Sequence, residues 1–397
     1  MSDLNAVAGG SPVVAGGYPT VGVNYVPTSG WFYSWLDLDL DEVRRDFDQL
    51  AALGLDHVRV FPLWPILQPN PGMIRQGALA DVRDVAVAAS ERGLRVAVDV
   101  LQGHMSSFDF LPAWVRSWHA ANIFTDPTVV EAQRQLVRAL ADALRDVPGA
   151  TGLSLGNEIV QFAAPRHPLA MHLTPAAARA WVQTMLRQAR ETWPEGTHTF
   201  SYDEDLFFEA RLPFTPQCIA DGDVATVHSW VFGKVGQTYG PDHPRLALYA
   251  RYLLELARAW APGMRLWLQE VGAPRTYIAP DHLEGFVRST LTQAAAVPEN
   301  DAITWWCSAN VPRSLTGFPE VEYSLGLLDS DRHVTATGRA VAEWIAAPER
   351  AAMGTGPLTI PGPTVPGARD VVAPGGEIFD RWAHAIECGV PVTLEAA

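Results

Sequence analysis

Lysine is almost absent from this chain. Lys234 stands alone among 29 cationic side chains in 397 residues, and 44 acidic residues leave a formal charge of −15. No basic run exists, whereas nucleic-acid phosphates require clustered Lys and Arg. Nucleic acid is therefore not an expected partner, and the same sign disfavours an anionic membrane surface. Cysteine is scarce as well: Cys218, Cys307 and Cys388 form no CxxC pair. That odd, sparse set fits a reducing compartment and excludes a disulfide framework or a structural zinc site. No stretch approaches 18 uncharged apolar residues, so no membrane span is expected. The first twenty residues lack both a basic segment and an unbroken apolar one, so no secretory leader is read and the cytoplasm is the expected location. A dinucleotide GxGxxG turn is missing. His167, His172, His243 and Asp242 lack the i,i+4 spacing of a helical zinc motif, and neither metal nor cofactor is expected.

What the chain does have is alternation. Eight short apolar, β-branched runs begin at Val21, His57, Arg95, Ala150, His198, Val224, Arg265 and Ala302. Between them lie longer amphipathic segments. In one, Leu40, Val43, Phe47 and Leu50 share a helical face that ends at Gly54; in another, Leu136, Leu140 and Leu144 do so before Pro148-Gly149. Thr174-Pro175 reads as an N-cap followed by proline in the first turn. Strands alternating with helices indicate a parallel α/β fold, and eight units without a dinucleotide turn favour a closed (β/α)8 barrel. The spacing of about 40 residues per unit exceeds the roughly 30 of a compact barrel, which leaves room for long loops. The expected organisation is a loose leader over residues 1–19, a barrel over 20–349, and a Pro/Gly-rich appendage over 350–397 packed on it.

In such a barrel the reacting groups stand at the carboxyl ends of the strands. The second run carries Arg59 and the third leads into Gln102-Gly103-His104. The fourth ends in Gly156-Asn157-Glu158, the sixth in His228-Ser229-Trp230, the seventh in Gln269-Glu270 and the eighth in Trp305-Trp306. A glutamate is ordinarily a solvated surface residue. Glu158 and Glu270 instead each close an apolar strand. Two carboxyl groups facing one another suit glycoside hydrolysis, in which one protonates the departing oxygen and the other attacks or stabilises the sugar carbon. Their environments must differ so that one stays protonated and the other ionised, and a cation such as Arg59 would hold its neighbour ionised.

Asn157-Glu158 closing the fourth strand with Glu270 closing the seventh resembles clan A of the retaining glycoside hydrolases. The Gly22-Val23-Asn24-Tyr25 opening, Arg59, the strand-six histidine and the strand-eight tryptophan make residues 20–345 most similar to glycoside hydrolase family 5. The resemblance implies Glu158 as general acid/base and Glu270 as nucleophile. It further implies Asn157 on the sugar 2-hydroxyl, Arg59 orienting Glu270, His228 lining the same subsite, and Trp305 or Trp306 as an aromatic floor. One position departs from the family: Trp230 stands where a tyrosine usually follows the histidine, and an indole N–H donates but does not shuttle a proton. Tyr202 and Tyr277 are candidates to compensate. His104 and Trp64 complete the expected sugar-binding set, and Trp31 and Trp35 lie in a loop suited to it. Trp114, Trp118, Trp181 and Trp260 fall at helical spacing and read as packing.

The expected function is a retaining β-glycosidase. An enzyme inside the cell meets short oligosaccharides rather than insoluble polymer, which points to exo-action, and the family resemblance points to β-mannosides. An endo-β-1,4-mannanase or glucanase is the alternative within that class. Two alternatives lie outside it. One is an enolase-like barrel with Mg²⁺ on Asp99, Glu158 and Asp203, Glu204 or Asp205, which lacks an obvious lysine base. The other is a sugar-binding barrel without turnover.

Overall fold

The computed structural model describes residues 17–117, 121–167 and 171–397. Most of the expected leader and Trp118 lie outside the described residues. In chain order the strands are β1 (Thr20–Tyr25), β2 (His57–Val60), β3 (Arg95–Asp99), β4 (His104–Met105), β5 (Phe108–Asp109), β6 (Ala150–Asn157), β7 (Thr199–Ser201), β8 (Ala225–Ser229), β9 (Leu266–Val271), β10 (Asn300–Trp305), β11 (Gly356–Ile360) and β12 (Val392–Ala396). Eight of them form one parallel sheet in the order β7-β6-β3-β2-β1-β10-β9-β8. Its two ends meet: the His228 amide donates to the Tyr202 carbonyl at 3.2 Å, closing the ring between β7 and β8. The protein is therefore a (β/α)8 barrel, and each of the eight apolar runs begins within two residues of a barrel strand.

The helices form where an apolar stripe coincides with a cap. Asp39 accepts from the amides of Asp41 and Glu42 and opens the helix Leu40–Ala52, whose Val43, Phe47 and Leu50 are buried. Gly54 follows at φ +83°, the left-handed conformation that a helix stop requires. Asp126 and Pro127 open Pro127–Leu144, and Thr174 caps Pro175–Thr192 through the Ala177 amide. Asp46 breaks the simple pattern. This carboxylate on the first helix is buried, accepting from the Tyr25 hydroxyl and the Thr28 amide at 2.9 Å each and from Arg332 at 2.7 Å.

Two small additions matter for the site. Strands β4 and β5 make an antiparallel hairpin in the loop after β3, turning through Ser106 and Ser107 at φ +51° and +70°. Near the C-terminus β11 and β12 pair in parallel around the helices Ala368–Val372 and Glu377–Glu387. This unit packs on the barrel helix Tyr249–Trp260. Glu255 there accepts from Arg251 at 2.8 Å, from the Trp382 indole at 3.1 Å and from the Leu394 amide at 3.2 Å, all buried.

Candidate active site

Strand parity decides which side chains enter the barrel mouth. Asn24 pairs in register with Arg59, His228 with Glu270, and Asn157 with Ser201. Arg59 is wholly buried and acts as the hub. One guanidinium nitrogen donates to Glu270 at 2.9 Å and Asn24 at 3.2 Å. The other reaches Asp99 at 2.7 Å, Asn157 at 2.6 Å and Ser201 at 2.7 Å, and the guanidinium lies 4.6 Å over Phe61. Planar, delocalised and always charged, arginine suits so many simultaneous acceptors.

Around this hub the two glutamates come together. One oxygen of Glu158, one of Glu270 and a ring nitrogen of His228 all lie within 4.8 Å of one another. Glu270 accepts from Arg59 and, at 3.2 Å, from the Trp230 indole, with only 4% of its side chain exposed against 16% for Glu158. The more accessible group can meet a departing oxygen or a water. Burial lifts the Glu158 carboxyl above its ordinary range, with His104 and Arg59 opposing. Burial also lifts Glu270, and His228 and Arg59 draw it back. Desolvation drives His228 down to about 4, so the ring is neutral near pH 7. As assigned, the Gln269 amide presents its oxygen to Nε2 at 3.1 Å. That leaves Nδ1, 2.8 Å from Glu158, as an acceptor for a proton on the carboxyl. Glu158 itself has φ +43°, the kind of strained backbone found at functional sites.

The cavity over these groups has a volume of about 800 Å³. Its wall divides into two arcs. After β6, β7 and β8 come Gln161, Arg166, Asp203, Glu204 and the stacked pair Trp230 and Phe232, with ring centroids 4.9 Å apart. Burial pushes the carboxyls of Asp203 and Glu204 up to about 7. After β3 and β10 come His104, Ser106, Trp306 and Glu322. Behind this second arc Phe318 packs against Phe108 at 4.8 Å, Trp31 at 5.3 Å and Phe32 at 5.3 Å, a solid aromatic wall.

Of the expected site residues, Asn157, Glu158, His104, Trp230, Glu270 and Trp306 line the cavity, with Arg59 and His228 beneath. Asn157 donates to the His104 carbonyl at 3.2 Å, and His104 pairs with Asp109 at 2.9 Å. Three expectations need correction. Trp64 is fully buried, donating to Gln68 at 3.0 Å and packing on Trp114 at 5.8 Å. Tyr202 faces outward beside Phe200, because Ser201 between them faces in and neighbouring strand residues alternate. Trp305 is buried for the same reason, Trp306 taking the mouth side, although the Trp305 carbonyl does accept from Asn24 at 3.3 Å. Trp31 and Trp35 are also buried. Sequence reading missed Ser201, Ser106 and Glu322, and named Asp203 only as a metal ligand. Three-residue β7 is too short to show which way Ser201 faces, and the others depend on loop paths.

Glu158, His228 and Glu270 are close enough together to ligate a cation, but the Arg59 guanidinium already supplies positive charge to Glu270. Asp99 is committed to Arg59, Asp205 pairs with Arg166, and Glu204 accepts from Tyr249 and the Lys234 amide. Among the described residues these acids form no enolase-like cluster.

No protein-family model matches the chain, nor does any curated protein. Solved structures do. A GH5_18 enzyme from Streptomyces cattleya, a glutamate-to-alanine variant in complex with Manβ1-4GlcNAc, is 45% identical, with 96% of this chain and 94% of that one covered and a TM-score of 0.92. A glutamate-to-alanine variant of a GH5_18 enzyme from Bifidobacterium longum subsp. longum, also in complex with Manβ1-4GlcNAc, is 39% identical over 96% and 91% of the two chains at a TM-score of 0.91. An exo-β-1,4-mannosidase from Opitutaceae bacterium strain TAV5, at 24% identity, 96% and 69% coverage and a TM-score of 0.76, shares the fold. Carrying that barrel with its paired strand-end glutamates, the chain belongs to subfamily 18 of glycoside hydrolase family 5 and is a glycoside hydrolase of a retaining family.

Proposed function

We propose that the protein is an exo-acting β-mannosidase that releases mannose from the non-reducing end of short saccharides such as Manβ1-4GlcNAc. The observation that carries this reading is the Glu158–Glu270 pair, close together beneath the cavity. Oxygens within 4.8 Å suit the separation of about 5–5.5 Å between carboxyl groups in double displacement, not the roughly 6.5–9.5 Å of inversion. Glu270, held by Arg59 and Trp230, attacks the anomeric carbon while protonated Glu158 gives its proton to the glycosidic oxygen. The aglycone leaves as an alcohol and the sugar becomes an ester of Glu270. Glu158, now a carboxylate, takes a proton from water, whose oxygen displaces Glu270 with overall retention. The Asn157 amide, fixed by Arg59 and the His104 carbonyl, keeps one N–H for the 2-hydroxyl. Because Glu158 must face the leaving oxygen, the aglycone lies against the arc after β6, β7 and β8. The terminal sugar then lies against the arc of His104, Ser106, Trp306 and Glu322, which the aromatic cluster backs, and this supports exo-action. The complexes of the Streptomyces and Bifidobacterium enzymes with Manβ1-4GlcNAc support the choice of disaccharide.

Initial rates on p-nitrophenyl β-mannoside, β-glucoside, β-galactoside and β-xyloside, together with Manβ1-4GlcNAc, mannobiose and mannan, test the reading. We expect β-mannoside and disaccharide turnover with β-mannose as first product by NMR, and mannan untouched. Activity confined to the polymer would overturn exo-action.

A further inference from the structure

One side of the cavity holds three polar groups that the reaction above does not use. Ser106 Oγ, Trp306 Nε1 and Glu322 Oε2 are each buried. All three residues line the cavity, and the Ser106 hydroxyl and the Trp306 indole act as donors to the Glu322 carboxyl, drawing it down against the effect of burial. A carboxyl held by two donors at the wall of a ligand cavity keeps its remaining lone pairs for what occupies that cavity.

The protein holds this spot firmly. The Glu322 amide donates to the Pro319 carbonyl at 3.1 Å, and the neighbouring Tyr323 hydroxyl donates to the Leu315 carbonyl at 2.8 Å beneath Arg313. Ser106 occupies the first position of a two-residue hairpin turn with positive φ at both residues. Asn-Gly is the usual solution for that turn, so a serine pair there accepts backbone strain where the hydroxyl meets the cavity. The aromatic wall of Phe108 and Phe318 fixes the two loops against each other.

We propose that Glu322, assisted by Ser106 and the Trp306 indole, binds the free 4-hydroxyl of the terminal sugar and thereby reads the chain end. This rests on the exo-glycosidase reading above. The 4-hydroxyl lies across the pyranose ring from the anomeric carbon. With Glu158 and Glu270 at that carbon and the aglycone toward the other arc, it is the group that meets the wall after β3 and β10. A hydroxyl both donates and accepts, so it can bond the Glu322 carboxyl. Burial keeps the Glu322 carboxyl up at about 7, and either protonation state can hold a hydroxyl. A sugar extended at O4 would offer no proton there and would run into the arc after β3 and β10, so the same contact excludes internal residues of a polymer.

The test compares p-nitrophenyl β-mannoside with its 4-deoxy and 3-deoxy analogues on the wild-type enzyme and on Glu322→Gln and Glu322→Ala. Hydrogen bonds to a charged group predict a loss of about 10- to 100-fold in kcat/KM for the 4-deoxy analogue with the wild-type enzyme. In Glu322→Ala the 4-deoxy penalty should fall below about threefold while the 3-deoxy penalty persists. A structural role for Glu322 would lower all three substrates together and leave the 4-deoxy penalty intact, which overturns the proposal. If the variants do not fold, the wild-type enzyme decides: a 4-deoxy penalty under about threefold sinks the idea. Failure of the mannosidase reading looks different, because the parent mannoside is then not turned over. The 4-deoxy analogue of whichever β-glycoside is hydrolysed then serves the same comparison.

Discussion

At the scale of single residues the site depends on giving two glutamates different surroundings. Glu270→Ala should lower turnover on the order of 10⁵-fold with the fold intact by circular dichroism. Azide should then restore rate and yield an α-glycosyl azide, because the small anion fills the place of the lost carboxylate. Glu158→Ala should spare aryl glycosides, whose leaving groups need little protonation, far more than Manβ1-4GlcNAc; equal losses on both would remove Glu158 as the acid. Trp230→Phe keeps the stack on Phe232 but deletes the donor to Glu270. A donor to an ionised carboxylate lowers its pKa. The acid limb of kcat/KM should therefore move to higher pH in this variant, with the alkaline limb of Glu158 unmoved. Arg59→Lys should cost on the order of 100-fold in kcat, since a point charge does not span Glu270, Asn157, Asp99 and Ser201 at once. The sequence made Arg59 legible by its place on an apolar strand. It did not make Ser201 legible, because three-residue β7 offers too short a run to read its parity with assurance.

At the scale of elements the caps and the appendage carry the argument. Asp126 accepts from the amides of Thr128 and Val129 at the start of Pro127–Leu144, and Asp126→Ala should cost about 1 kcal/mol in urea unfolding. Glu255 has a larger task. It is wholly buried and joins Arg251 on the barrel to Trp382 and β12 of the appendage. Glu255→Ala leaves the buried Arg251 without its carboxylate, a loss of about 3–5 kcal/mol. The expected signature is early proteolytic cleavage in the Pro/Gly-rich stretch 361–367, ahead of cleavage in the barrel. The consequence should reach the cavity, because Arg369 of the appendage donates at 2.8 Å to the carbonyl of Glu209, a cavity residue. Periodicity announced the helices and the eight strands, since a stripe of leucines or an apolar run needs only local sequence. The hairpin of β4 and β5 escaped it, two residues per strand being too few to show alternation, and so did the pairing of β11 with β12, which are separated by two helices.

At the scale of the whole molecule, acid is stored in the cavity wall. Burial raises the carboxyls of Asp203, Glu204 and Glu322 to about 7. A raised carboxyl binds its proton more tightly folded than unfolded, so its contribution to stability is complete below the unfolded value and is lost as pH rises through about 7. The melting temperature should therefore fall between pH 5 and pH 8. Glu204→Gln keeps partners for Tyr249 and the Lys234 amide while removing the proton, and should flatten that slope by on the order of 3 kcal/mol; an unchanged slope would place the titration elsewhere. The sequence by itself determined the barrel and the pairing of two glutamates at its strand ends. Apolar strands, capped helices and strand-end carboxylates are local patterns, and closing eight such units brings the strand ends to one rim. Only the tertiary structure decided which tryptophans meet the cavity, that Asp46 and Glu255 are buried with partners, and that Ser106 and Glu322 converge from loops more than 200 residues apart. Those outcomes turn on loop paths and on which face of a strand meets the core, and both are fixed by packing between distant segments.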